Sequence, residues 1–285
     1  MALPQNRTGF DSFTRTEKTI CRDLLPLAFD HNLHLPRILC LHGGGTNARI
    51  FRAQCRVIRH HLAHIFRLVF VDAPFLSQAG PDVESVYAEW GPFRSWLRPQ
   101  GGPGPGSFAV DANDNDISIM DECIVKAMEL DDAQGATGSW VGILGFSQGA
   151  KMAASLLLRQ QARIRLSHRP SVKTGEGAKL GDVEFRFAVL LAGRGPLVMD
   201  RATKEFYNDR PFHEGLLHLP TIHVHGLRDP GLPMHRELQY RYCDQIAARH
   251  VEWDGDHRVP IKTQDVNLVV GQVLDVAHEY GVTKC

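Results

Sequence analysis

The 285-residue chain has no net charge to speak of, since 32 Lys and Arg stand against 32 Asp and Glu. It has no polybasic stripe interleaved with aromatics, so it lacks the electrostatic footprint of a nucleic-acid binder. No apolar run reaches the ~18 residues that a membrane helix requires. The opening Met1-Ala2-Leu3-Pro4-Gln5-Asn6-Arg7-Thr8 lacks the apolar core of a secretory signal, so the sequon Asn6-Arg7-Thr8 is read as incidental. The six cysteines (Cys21, Cys40, Cys55, Cys123, Cys243, Cys285) form neither a C-x-x-C pair nor a compact framework. Scattered thiols in a chain this long are expected to be reduced, which points to a cytoplasmic protein. The terminal Val282-Thr283-Lys284-Cys285 is neither a prenylation box nor a peroxisomal tripeptide. There is no internal repeat.

Cofactor signatures are missing as well. Gly43-Gly44-Gly45-Thr46 is not G-x-G-x-x-G and has no Walker lysine, which argues against a nucleotide. His60-His61-x-x-His64 lacks the glutamate of a zincin and reads as a basic, solvated helix face. Neither cofactor nor metal is expected.

What remains is an ordinary globular composition, 43% hydrophobic and 22% charged. A chain of this size can bury a large core. Apolar runs at 36–42, 67–72, 141–144, 186–193, 221–226 and 251–253 read as strands. Helical spacing runs over 48–64, 150–158 and 264–280, with a short helix over 20–29. Alternation of this kind predicts a doubly wound α/β domain with a mostly parallel sheet and helices on both faces. One domain over 1–285 is expected, with its core at about 36–280. Two stretches interrupt it: 98–116, glycine- and proline-rich and then polar, and the basic 163–182. Both are expected to be surface loops.

The stretch Val141-Gly142-Ile143-Leu144-Gly145-Phe146-Ser147-Gln148-Gly149-Ala150 carries the chemistry. A bare G-x-S-x-G arises by chance in roughly one chain in ten of this length, from ordinary glycine and serine frequencies of about 7%. Here a buried strand precedes it and a run of helix formers follows. That context belongs to a nucleophile elbow, whose strained turn exposes a serine hydroxyl beside a base. In such folds an acid and then a histidine follow on the loops after later strands. Asp229 lies on the loop after 221–226, and His257 on the loop after 251–253. Carboxyl ends of parallel strands open on one edge, so these loops can converge. Ser147 is then the nucleophile, His257 the general base and Asp229 the group that orients the imidazole. Asp254 and Asp256 compete as orienters but adjoin the histidine in sequence, which is poor geometry. The backbone N–H of Gln148 is one expected oxyanion donor. Gly44 is the chosen second, with Gly43 and Gly45 close behind. A binding module that keeps the fold without turnover, and acyl transfer to an alcohol, remain as alternatives.

Leu41-His42-Gly43, Asp72-Ala73-Pro74-Phe75 with the later Trp90 and Trp96, the Gly145-Phe146-Ser147-Gln148-Gly149-Ala150 elbow, Gly226-x-x-Asp229 and Asp256-His257-x-Val259-Pro260 together resemble a fungal family of serine hydrolases. That family is related to the human ovarian-cancer-associated candidate 2 protein, and the similarity runs from about Pro36 to Glu279. The resemblance implies an α/β-hydrolase fold without cofactor. It implies esterase or thioesterase activity in secondary-metabolite biosynthesis, on a small-molecule ester or an acyl thioester. The acyl group would be of polyketide type, presented by the carrier domain of a polyketide synthase. The triad roles carry over to Ser147, Asp229 and His257, and an oxyanion role to Gln148. The chain departs from the family's pattern at Gly45, where members often have a bulkier residue, and in the length of 163–182.

Overall fold

The apolar run after Pro36 forms β1 (Arg37–Leu41), buried along its whole length. A glycine-rich turn follows. Helical spacing then gives α1 (Ala48–Gln54) and α2 (Arg56–Leu62), and β2 (Arg67–Val71) completes the first β-α-β passage. The structure is a computed structural model that describes residues 31–80, 83–99, 111–167, 180–208 and 210–283. The short helix expected over 20–29 and most of the glycine-proline run lie outside those residues.

A two-stranded antiparallel ribbon comes next, β3 (Phe75–Leu76) with β4 (Arg94–Ser95), enclosing the single-turn α3 (Glu84–Tyr87). Then come α4 (Asp114–Ala133), β5 (Trp140–Phe146), α5 (Gln148–Ser167), β6 (Phe187–Leu191), α6 (Arg201–Asn208), β7 (Thr221–Gly226), α7 (Leu232–Tyr242), β8 (Ala248–Trp253) and α8 (Thr263–Glu279).

The main sheet is six-stranded, in the order β2-β1-β5-β6-β7-β8, and every adjacent pair is parallel. Both faces are covered, which is why its strands read as continuous apolar runs. The period-2 pleat is visible within β1. Leu39 and Leu41 join the core shared with α4, α5 and α7, whereas Ile38 and Cys40 join the core shared with α1, α2 and α8. This is the α/β-hydrolase architecture expected from the sequence. The chain winds outward from β1 to β2, then crosses to β5 on the other side of β1. The switch point therefore lies between β1 and β5. A crevice opens there, outside the carboxyl ends of the strands.

Three sequence-based boundaries need correction. The helix expected over 48–64 is two helices, because Cys55 leaves helical geometry at ψ 11°. The polar run 111–116 is not all loop. Asn113 caps α4 by accepting from the Asp116 N–H at 2.9 Å, and Asp114 and Asp116 lie in its first turn. Acidic residues there complement the helix dipole, so a loop-like composition opens a helix. The surface loop expected from Arg163 begins later, because α5 continues to Ser167 and residues 163–165 on it are still half-buried. Of that insertion, 168–179 falls outside the described residues. The helix α4 has no counterpart in the sequence reading. Its buried stripe Ile117, Met120, Ile124 and Met128 has helical spacing but is diluted by acidic neighbours. Its end is fixed by Asp131, which accepts from Arg67 at 2.7 Å and from Arg37 at 3.3 Å, the first residues of β2 and β1.

Among the described residues four histidines are buried: His42 after β1, His223 and His225 on β7, and His235 on α7. Burial disfavours the imidazolium and pushes them down to about 4, 3, 4 and 4 respectively, from an ordinary 6.5. Each stays neutral in the fold and takes up a proton on unfolding. Their stabilising effect is complete above pH 6.5 and is lost as pH falls through that value toward the folded-state range. Accordingly, the urea midpoint drops between pH 6.5 and about 5, above the range where ordinary carboxylates titrate. A midpoint that stays flat across this window contradicts the assignment.

Candidate active site

The elbow between β5 and α5 is built by exclusion. Ser147 sits at φ 53°, the left-handed region that costs energy for a non-glycine residue. Its N–H donates to Leu191 O at 2.8 Å, so β6 holds the strained turn in place. A Cβ at position 145 would lie 2.3 Å from Gly149 O, and one at position 149 would lie 2.0 Å from Leu41 O. Both clashes are with backbone. The two glycines let strand and helix close on the turn and leave the serine projecting.

The loops after β7 and β8 are stitched together. Leu227 N–H donates to Trp253 O at 2.9 Å and Arg228 N–H to Gly255 O at 2.8 Å. This brings Asp229 and His257 to the edge where Ser147 stands. His257 Nε2 lies 3.0 Å from Ser147 Oγ, and His257 Nδ1 lies 2.6 Å from Asp229 Oδ2. The Asp229 side chain is 1% exposed, and its Oδ1 accepts from Gly231 N–H at 2.7 Å. Burial opposes the charge on Asp229. The Gly231 N–H and the His257 hydrogen bond outweigh it and hold the carboxyl below its ordinary range. The competing acids are engaged elsewhere. Asp254 pairs with Arg228, and Asp256 lies 3.4 Å from the Arg258 guanidinium. A hydroxyl, an imidazole and an ionised carboxylate thus stand in a row, an arrangement suited to moving a proton off the serine.

Gln148 and Gly44 lie on the two sides of the switch point. The side chain of Gln148 turns away, its Oε1 accepting from Trp96 N–H at 2.7 Å and from the Ser95 hydroxyl at 3.0 Å. That bond joins the elbow to β4. Among the described residues, neither the backbone N–H of Gln148 nor that of Gly44 has a protein acceptor. The glycine loop is held from beneath by His42. Its Nε2 accepts from Ala73 N–H at 2.9 Å, which places the proton on Nδ1, 2.8 Å from Gly43 O. Trp96 Nε1–H donates to His42 O at 2.9 Å, and Gly45 N–H to Arg94 O at 2.9 Å. Gly45 has φ +73°, and a Cβ there would lie 2.2 Å from Gly80 N. The third glycine is therefore required by close backbone approach.

Sequence reasoning missed Ser95 and Arg94, which are contacts of a two-residue strand with no periodic signal. It also missed His235, one of 15 histidines, whose Nε2 lies 3.7 Å from Asp229 Oδ2. Facing atoms of Asp229, His235 and His257 lie within 4.8 Å of one another. This group does not read as a metal centre. The Asp229–His257 hydrogen bond already occupies the atoms an ion would need, and the Arg194 guanidinium rests against Gly231 beside them. His60, His61 and His64 lie on or just after α2 and form no metal-binding group with other described residues.

The elbow's dependence on glycine can be tested directly. Gly149→Ala forces a Cβ against the carbonyl oxygens of Leu41 and His42, at 2.0 and 2.6 Å. Relief requires parting β1 from α5, so a stability loss of at least about 1–3 kcal/mol is expected from urea unfolding. A wild-type unfolding curve for this variant contradicts the packing described.

Comparison with known proteins agrees with this geometry. The family described as "Serine hydrolase (FSH1)" matches residues 32–269. A probable esterase of Aspergillus terreus (strain NIH 2624 / FGSC A1156) is 58% identical over 248 residues, covering 87% of this chain and 91% of that protein. Esterase pigG of Monascus ruber is 53% identical over 277 residues, covering 89% and 95%. The probable esterase afoC of Emericella nidulans is 49% identical over 286 residues, covering 90% and 96%. A serine elbow backed by a half-buried histidine on a buried aspartate, on a fold that carries the family signature over most of its length, leads to one assignment: the chain belongs to the FSH1 family of serine hydrolases.

Proposed function

We propose that this serine hydrolase is an esterase or thioesterase that works through an acyl-enzyme on Ser147. The observation that carries the reading is the continuous line Ser147 Oγ, His257 Nε2, His257 Nδ1 and Asp229 Oδ2, with spacings of 3.0 and 2.6 Å.

Ser147 Oγ attacks the acyl carbon while His257 Nε2 takes its proton. The C=O π pair moves onto the oxygen. Two N–H groups without protein acceptors, those of Gln148 and Gly44, are assigned to receive that oxyanion. Collapse of the tetrahedral adduct expels the alcohol or thiol, which leaves with the proton from His257. Water then repeats the sequence on the acyl-enzyme, releases the acid and restores the serine. Asp229 keeps the proton on Nδ1 and stabilises the imidazolium during both halves. No cofactor enters any of these steps.

The substrate is assigned an apolar acyl group of polyketide type, made in fungal secondary metabolism. The support is the family resemblance and the aromatic ribbon beside the glycine loop. Tyr87, Trp90 and Phe93 pack with Ile50, Ala79 and Val83, and Asn47 ties that ribbon to α1 through Trp90 O at 2.7 Å. An acyl thioester on a polyketide synthase carrier domain is the assigned donor, with free small-molecule esters as simpler substrates.

The test compares wild type with Ser147→Ala and Asp229→Asn on p-nitrophenyl esters and on acyl thioesters of increasing chain length. Both substitutions lower kcat, Ser147→Ala by at least ~10³-fold, the scale on which losses in such triads act. Longer apolar acyl groups raise kcat/KM. Wild-type turnover by Ser147→Ala contradicts the nucleophile assignment, and indifference to acyl length contradicts the substrate assignment.

A further inference from the structure

His235 sits in the first turn of α7, six residues after Asp229, and is 0% exposed. Neither of its ring nitrogens has a hydrogen-bond partner. Burial holds this imidazole neutral, so one nitrogen carries a proton and the other a lone pair. An orphaned donor inside a protein is costly and calls for a reason.

Of the polar groups facing His235, one offers its N–H a charged acceptor. Arg194, on the loop after β6, has only donors to offer, and its Nη2 rests against Gly231. The His225 ring on β7 is 6.0 Å away, centroid to centroid. The His257 ring is 5.9 Å away, and both of its nitrogens are already engaged, by Ser147 and by Asp229. Asp229 Oδ2 remains, 3.7 Å from His235 Nε2. Closing that gap to an ordinary hydrogen bond takes a shift of about 0.7 Å. Catalytic hydrogen bonds are often long before substrate arrives. Gly231 makes the approach possible, since a Cβ at that position would lie 2.9 Å from His235 Nε2 and 2.4 Å from Arg194 Nη2.

We propose that His235 is a positioning residue of the catalytic pair, donating its Nε2–H to Asp229 Oδ2. The carboxylate is then held at three points: by Gly231 N–H on Oδ1, and by His257 Nδ1–H and His235 Nε2–H on Oδ2. This restricts its rotation and stabilises its charge while His257 waits as a neutral base. The inference rests on the catalytic reading given above. No proton is transferred to or from His235 in the cycle.

The pH profile separates this role from simple space filling. The active pair is ionised Asp229 beside neutral His257, with an uncompensated negative charge. Protonation of His257 compensates that charge. A donor to Asp229 therefore stabilises the active state more than the protonated one, and its removal makes the pair easier to protonate. Two further groups face the pair, Arg194 and His225, and both remain in the variants. In His235→Phe, kcat falls roughly tenfold, as losses of outer partners of functional groups do. KM stays within about twofold, and the acidic limb of kcat/KM moves to higher pH. His235→Gln, which keeps an N–H near the same place, recovers part of the rate and returns the limb toward wild type. An unmoved limb in a folded His235→Phe, or a loss that glutamine does not recover, overturns the proposal. If the apolar variant does not fold, the tautomer decides. Nitrogen-15 NMR of the wild-type imidazoles shows the proton of His235 on Nε2, and finding it on Nδ1 overturns the assignment. Failure of the catalytic reading shows separately, as Ser147→Ala turning over at the wild-type rate, and the tautomer measurement still stands in that case.

Discussion

The hydrogen bond between Asp229 Oδ2 and His257 Nδ1, 2.6 Å long, is the interaction on which the carboxyl edge of the sheet depends. It joins the loops after two neighbouring strands and chooses one tautomer of one imidazole. With the proton fixed on Nδ1, the lone pair of Nε2 faces Ser147 Oγ. Without that choice the same three side chains would stand as close and do less. The bond needs a charged carboxylate in a buried place, and the backbone N–H of Gly231 helps supply one by lowering the cost of the charge.

The sheet brings these groups together through its winding. Because the chain leaves β1 for β2 and later returns to β5, the loop after β1 and the elbow after β5 stand side by side at the switch point of the sheet. The glycines there serve distances. Gly149 lets α5 approach Leu41, and Gly45 lets the first loop approach Gly80. The same crowding holds the backbone around Gly44 and Gln148, whose N–H groups we propose as the donors to a negative oxygen. Buried His42 supports the loop from below with a fixed pattern of one donor and one acceptor, which only a neutral ring supplies. The site is thus made of rigid pieces, each held by its neighbour in the sheet.

Much of this was legible in the sequence, and the reasons can be named. The strands are buried on both faces, so they announce themselves as apolar runs. The elbow is constrained at two positions by backbone clashes and at Ser147 by its left-handed φ, so its glycines and serine appear as a motif. Chain order, which the topology enforces, pointed to Asp229 and His257, and the structure brings both side chains into line with Ser147. Asp254 and Asp256 could be set aside because a side chain three residues or fewer from the histidine rarely reaches its far nitrogen, and both prove to engage arginines. What escaped was set by tertiary contact alone. The helix α4 hides a regular core stripe under acidic residues, and its polar start resembled a loop because caps and loops use the same residues. Ser95 matters through one glutamine side chain. His235 becomes notable only when its two nitrogens are seen to be buried without partners.

The account stands or falls on the bridging proton between Asp229 and His257. Proton NMR in water reads it directly, because an Nδ1–H held in a short bond to a carboxylate resonates far downfield of ordinary amides. The structure predicts one such signal in the wild-type protein, lost in Asp229→Asn and kept in Ser147→Ala. A downfield signal that survives Asp229→Asn unchanged, or its absence from the wild type under conditions where the enzyme turns over, would contradict it.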